Sequence, residues 1–269
     1  MNFASKTIPS LRQASKLLTC MLVTGLLVLS ACQPPQASRA PTPWVVRLST
    51  TPAVKSWSQR VGACALKIPG IGLAVDEIPA DQPLAPGVTL SLRAGIAASP
   101  ALPYVVTLGW DEIVILVNAS NPINGITLQD LVALYQGQFP TWNELLKSDG
   151  QSGTFTAPLE VWAYPQGDDL ETFFNQQSGR SAGLSNTPQA KVRIAPDPSA
   201  MLQAVGQTPG AVGYSLKSYL GENHPSIRSI PITHGDPALL RVPVTAAMPA
   251  EPQGLLRQLV LCSQSSQPN

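Results

Sequence analysis

Proline sets the terms for this chain, because 27 of its 269 residues are Pro. Each proline removes a backbone N–H and fixes φ, so it suits a turn or the first position of a helix, not the middle of a long one. At about one residue in ten, this content excludes long helical bundles and predicts many short elements joined by fixed loops. No repeat of 20–50 residues is visible, which argues against a solenoid or propeller.

The segments between the prolines alternate in character. Trp44–Leu48 reads as a short strand; Thr51 then supplies an N-cap and Pro52 the first residue of a helix to about Gly62. Residues 69–87 are dense in Pro and Gly, with Leu73–Glu77 a strand candidate among them, and Val88–Arg93 is another. Trp110–Asn118 contains Ile113–Val117, the continuous apolar run of a strand buried on both faces. Thr127 and Asp130 have capping-box spacing ahead of Leu128, Leu131, Val132 and Tyr135, and Gly137 can end that helix. Leu159–Tyr164 alternates as a strand, and Gly167-Asp168-Asp169 leads into a helix with Leu170, Phe173 and Phe174. Lys191–Ile194, Gly210–Ser215, 229–233 and 239–244 read as strands, and Pro198–Gly206 and Pro252–Val260 as helices. This alternation predicts an α/β fold on mainly parallel sheets.

The first segment stands apart. Lys6, Arg12 and Lys16 are the only charges before residue 32, and the apolar run Leu17–Ala31 follows them. That run is short for spanning about 30 Å of hydrocarbon, and a basic stretch followed by a short apolar one is the pattern of an export signal. Leu29-Ser30-Ala31-Cys32 resembles the bacterial lipoprotein box, in which Cys32 is lipidated and becomes the first mature residue. Residues 1–31 are thus expected to be a lipoprotein signal and 32–43 a Pro-rich tether, giving a lipid-anchored extracytoplasmic protein.

The near-neutral charge is then a composite. The whole chain has 17 basic and 16 acidic groups; without the three basic residues of the leader, 14 face 16, a formal −2. Neither balance suits a nucleic-acid binder working through bulk positive charge. Beside Cys32, the mature chain holds Cys64 and Cys262. In an oxidising compartment they can form a disulfide; two buried thiols are the alternative.

Chemistry that would mark an enzyme is missing. His224 and His234 fall in loops with no Cys or carboxylate at metal-ligand spacing, and no G-x-S-x-G elbow or phosphate loop is present. Asp168, Asp169 and Glu171 form the one dense carboxylate group, which at a helix start reads as capping rather than as an acid–base pair. No enzyme, cofactor or metal is expected.

Val114–Leu145 resembles the phosphate-binding-protein-like branch of the ABC-transporter solute-binding proteins: an apolar strand, Asn, Asn-Pro, then a helix ending at a Gly turn before Trp142-Asn143. Pro196-Asp197-Pro198 through Ala211-Val212-Gly213-Tyr214 is similar to that family's return strand, and Ser49-Thr50-Thr51-Pro52 to its first ligand loop. The resemblance implies a two-lobed type 2 periplasmic-binding-protein fold with a hinge and an interlobe cleft. Lobe one would be 44–111 plus 214–262, lobe two 112–213, and 263–269 a tail. It also implies a small-molecule solute, an ABC permease as partner, a membrane reached through the lipid, and no nucleic acid. Thr50, Thr51, Asn118, Asp168, Asp169 and Tyr214 are the expected cleft residues; aromatic walls could come from Trp110, Trp162 or Tyr164.

Two departures stand out. Where phosphate binders of the family carry Ser-Gly-Thr-Arg, this chain has Gly167-Asp168-Asp169-Leu170-Glu171-Thr172, and where they have an acid in an "Ala-Asp-Leu" turn, it has Leu90-Ser91-Leu92-Arg93. Carboxylates in place of hydroxyls and a guanidinium oppose a dianion, so phosphate is not the expected solute. The loss of that motif, with no compensating basic residue evident, also admits a degenerate binding domain serving as an envelope sensor or scaffold.

Overall fold

The computed structural model describes residues 43–95, 100–148, 150, 154–177, 192–221, 224–234 and 236–265. The expected export signal, Cys32 and all of the expected tether but Pro43 lie outside them, as do Lys191 and the last four residues of the expected tail.

The chain enters through β1 (Trp44–Thr50), whose later residues are fully buried. Pro52–Val54 make a single 3-10 turn before α1 (Lys55–Ala65); Thr51 precedes that turn, and its hydroxyl does not cap it. β2 (Ile71–Glu77) and β3 (Leu90–Ala94) lie parallel to β1 on either side. Then comes β4 (Tyr104–Asn118), which begins six residues earlier than the expected Trp110 and is fifteen residues long.

α2 (Leu128–Tyr135) starts as its sequence predicts, with Thr127 Oγ1 accepting the Asp130 N–H, and Gly137 adopts φ +73° just beyond its end. α3 (Trp142–Ser148) follows. Its first two side chains do structural work: the Trp142 indole donates to Gly210 O at 3.0 Å and Asn143 Oδ1 accepts the Phe155 N–H at 2.7 Å. β5 (Glu160–Ala163), α4 (Asp169–Gln177), β6 (Val192–Ile194), α5 (Pro198–Gln207) and β7 (Ala211–Leu216) complete a βαβαβ run. Asp197 caps α5 by accepting the Ala200 N–H, and Pro198 is its first residue. Gly213 has a packing reason, since a Cβ there would sit 2.3 Å from the Met201 sulfur, and α5 needs that closeness to lie on β7. The short α6 (Lys217–Leu220), β8 (Ile227–Ile230), β9 (Arg241–Met248) and α7 (Gly254–Ser265) close the chain.

The described strands form one nine-stranded sheet ordered β2-β1-β3-β9-β4-β7-β5-β6, with β8 also on β4. Of its eight pairings, four are parallel and four antiparallel. The expected mainly parallel sheet is therefore mixed, because β4 meets β7, β8 and β9 head to tail and β9 meets β3 likewise. An apolar run marks a strand as central without reporting its neighbours' direction.

β4 is where the sheet divides. Tyr104–Glu112 pair with β9, whereas Ile113–Asn118 pair with β7 and β8. β4 is thus shared by a first half-sheet (β2, β1, β3, β9) and a second (β7, β5, β6, β8). Tyr214–Leu216 and Ile227–Ile230 pair within the second half-sheet, although the sequence puts them with lobe one; the return to the first half comes only with β9.

Buried Trp142, Tyr135, Tyr164, Tyr214 and Phe174 are among the largest core side chains, and four of these rings interlock. Phe174 stacks on Tyr214 with centroids 4.4 Å apart, and Tyr135 and Tyr164 meet them edge-on. Each such pair adds about 1 kcal/mol beyond burial. On the first half, Cys64 at the end of α1 is disulfide-bonded to Cys262 in α7, with Cα atoms 5.9 Å apart.

Candidate functional site

Both half-sheets send polar side chains to one buried point. β1 ends in Ser49 and Thr50, and Thr51 follows it, each no more than 1% exposed. Arg93, one residue before the end of β3, is 8% exposed. From the second half, Gly167 at φ +88° turns the chain after β5 so that Asp168 and Asp169 open α4. The Thr51 hydroxyl donates to Asp169 Oδ2 at 2.9 Å, and Arg93 Nη1 approaches Asp169 Oδ1 at 3.4 Å while also donating to Ala80 O at 3.0 Å. The Ala94 N–H also faces the Asp169 carboxylate.

The other acids of the cluster have their own donors. Asp168 Oδ1 accepts the Leu170 N–H at 2.8 Å. Glu171, 5% exposed, accepts from Gly167 N at 3.3 Å and from the Asn175 amide. Three carboxylates thus stand within four residues, largely out of water, beside one guanidinium that pairs with Asp169. Burial, followed by the neighbouring Asp169 charge, pushes Asp168 up to about 7. Burial raises Asp169 as well, opposed first by Arg93 and then by the Thr51 hydrogen bond. Asp168 is thus a group that exchanges a proton near neutrality, and Asp169 a buried anion held by a cation and a hydroxyl.

The structure brings together Thr51, Asp168 and Asp169 of the expected residues and commits the others to packing. Thr50 is buried, its hydroxyl 3.4 Å from Thr51 O. Asn118 donates to the Val205 and Gly206 carbonyls at the end of α5 and accepts from Ser120, which makes it a clamp between β4 and α5. The Tyr214 ring sits in the aromatic core, and burial drives its hydroxyl pKa well up. Tyr164 is likewise internal, donating to Tyr214 O at 3.0 Å. Trp162 is covered by the Arg193 guanidinium, and Trp110 is half exposed beneath Arg241.

Arg93 is the residue that sequence reasoning missed. The signal was present in the two departures from the family pattern, which are opposite in sign: a cation replaces the acid of the first half, and acids replace the cation of the second. Read as a pair, they set a cation in the first half against acids in the second, and here Arg93 pairs with Asp169.

Two cavities flank the junction of the halves. One, about 620 Å³, is lined by Ser56 and Gln59 of α1, Gln203 and Gln207 of α5, and Ser218 and Tyr219 of α6. The other, about 680 Å³, lies among Trp57, Arg60, Trp110, Asp111, Lys217 and Arg241. Among the described residues, no group of His, Cys, Asp and Glu could hold a metal ion, and no helix is long and apolar enough to cross a membrane.

No family model and no curated protein sequence matches the chain. Solved structures do. One is a Clostridium perfringens protein with bound phosphate, assigned as a phosphate ABC-transporter substrate-binding protein: TM-score 0.66, 16% identity, 81% of this chain and 92% of that one covered. A second is an ABC-type phosphate transport receptor from Vibrio cholerae, at TM-score 0.56 and 19% identity over 82% and 94% of the two chains. A third is the reduced OxyR regulatory domain from Pseudomonas aeruginosa, at TM-score 0.55 and 12% identity over 82% and 97%. The chain has the two-lobed α/β fold of type 2 periplasmic binding proteins, a fold shared with that regulatory domain. At these identities the likeness speaks for the fold alone.

Proposed function

We propose that this chain is an extracytoplasmic, lipid-anchored solute-binding protein that captures a small uncharged polar molecule between its halves and delivers it to an ABC permease. One observation carries the solute class: the cavity of about 620 Å³ has one wall from α1 in the first half and another from α5 in the second. Ser56, Gln59, Gln203, Gln207, Ser218 and Tyr219 offer it hydroxyls and amides, beside Lys55 and His224. Paired donors and acceptors of this kind suit hydroxyl-rich solutes, and a wall from each half lets the ligand favour the closed form over the open one. The Cys32 box supports the anchor, and the disulfide agrees with an oxidising compartment.

The test is thermal-shift and calorimetric screening of the full chain in detergent against sugars, polyols, amines and inorganic phosphate. One class of uncharged polyhydroxylated solute should stabilise the protein, and substituting Gln59 and Gln203 should abolish the response. Stabilisation by none of these classes would remove the transport reading. It would leave the second one, an envelope sensor or scaffold, which the Asp169 contact favours because it closes part of the interlobe surface without any solute.

A further inference from the structure

The donors around Asp169 lie on one half of the molecule and the carboxylate they hold comes from the other. Thr51 directly follows β1 and Arg93 lies in β3, both strands of the first half-sheet, whereas Asp169 opens α4 in the second. Hydroxyl and guanidinium converge on the two oxygens of one carboxylate, one to each. Such a donor set is what a small carboxylate or other oxyanion requires, and a guanidinium suits it better than an ammonium would.

We propose that Thr51 and Arg93 form an anion cradle whose occupant is the chain's own Asp169 side chain, so that the site is filled from within and closed to free oxyanions. This goes beyond the solute-binding reading, because Thr51, Arg93 and Asp169 do not line the cavity of about 620 Å³ and form a separate contact between the halves. Three observations support it. Arg93 and Asp169 side chains are 9% and 10% exposed, so each is buried against the other rather than against water. The second bond of Arg93 goes to a neutral carbonyl, Ala80 O, and Asp169 is its only carboxylate partner among the described residues. Asp168 and Glu171 accept from donors of their own, which leaves Thr51 and Arg93 to Asp169.

Chemical rescue tests the assignment. In full-length Asp169→Ala the cradle should be vacated, and the protein should melt at lower temperature than the wild type. Sodium formate should raise that melting temperature saturably, by several degrees more than sodium chloride of equal ionic strength, and should leave the wild type unmoved. Adding Arg93→Gln should erase the formate response. Equal responses in wild type and variant, or a response that survives Arg93→Gln, would overturn the proposal. Should Asp169→Ala fail to fold, calorimetry of the wild type decides. Formate and inorganic phosphate should give no saturable heat, and binding that Arg93→Gln abolishes would show the cradle open and the proposal wrong. An uncharged solute that still binds Asp169→Ala preserves the functional reading whatever formate does; loss of solute binding in an otherwise rescuable variant separates the two the other way.

Discussion

Two buried aspartates tie the halves of this molecule together, and they do so by different means. Asp111, on β4 just before the sheet divides, accepts the Trp57 indole at 2.8 Å and the Glu112 and Ser218 main-chain N–H groups at 2.9 and 3.2 Å. All of its donors are neutral, and two of them are backbone. Asp169, at the other contact, has one hydroxyl, the Ala94 main-chain N–H and one cation, beside two further acids. A carboxylate served wholly by neutral donors keeps its partners for as long as the fold lasts. One whose charge is met by a single side-chain cation depends on that cation and on the protonation of its neighbours. The first contact is built as a hinge, the second as a clasp.

The comparison can be broken most directly at Arg93. Arg93→Gln strands a buried carboxylate and should cost about 3 kcal/mol in denaturant unfolding at pH 7, less at pH 5, where the acids take up protons. A loss smaller than that of the hinge variant would mean that the clasp is the lesser tie. Asp111→Ala orphans an indole and two main-chain N–H groups, and should cost about 2 kcal/mol.

Asp168 sharpens the contrast in the other direction. Its carboxyl titrates at about 7, above the ordinary value, so the native state retains a proton that the unfolded chain releases at lower pH. Stability should therefore fall as pH rises from about 4 to about 7 and level off above, by at most about 1.4 kcal/mol per unit. Asp168→Asn, which keeps the acceptor for Leu170, should flatten that slope and raise stability at pH 8 by about 1 kcal/mol; urea midpoints at several pH values are the measurement. The smallest effect belongs to the exposed pair of Lys217 with Glu112 at 3.2 Å, where Glu112→Gln should change stability by under about 0.5 kcal/mol.

Much of the frame was legible because it rests on local rules. Thr127 announced the start of α2, Pro198 began α5 as its sequence reads, and 210–215 read as a strand, found at Ala211–Leu216. Strand direction was not legible: Ile113–Val117 says that a strand is covered on both faces and nothing about what pairs with it. Nor were the roles of Asn118 and Tyr214, since a cleft residue and a clamp can carry the same side chain and differ only in what the tertiary fold brings to it. The clasp was half legible. Asp168 and Asp169 drew notice as acids out of place, but Arg93, 76 residues earlier, gains its meaning only when β3 and α4 meet.

The bond between Cys64 and Cys262 closes a ring of chain, its ends 198 residues apart, that contains all of the second half-sheet and most of the first. A single cut anywhere within that ring opens it into a line without parting it. A protease nick in a surface loop, for instance beside Gly221, would leave one covalent molecule that runs as an intact band until a reductant is added. Among the described residues, β1, the Pro52–Val54 turn and most of α1 lie ahead of the ring, and β1 is held by main-chain pairing to β2 and β3 on its two edges. A protein exposed outside the cell would thus survive a first cleavage with its halves still joined.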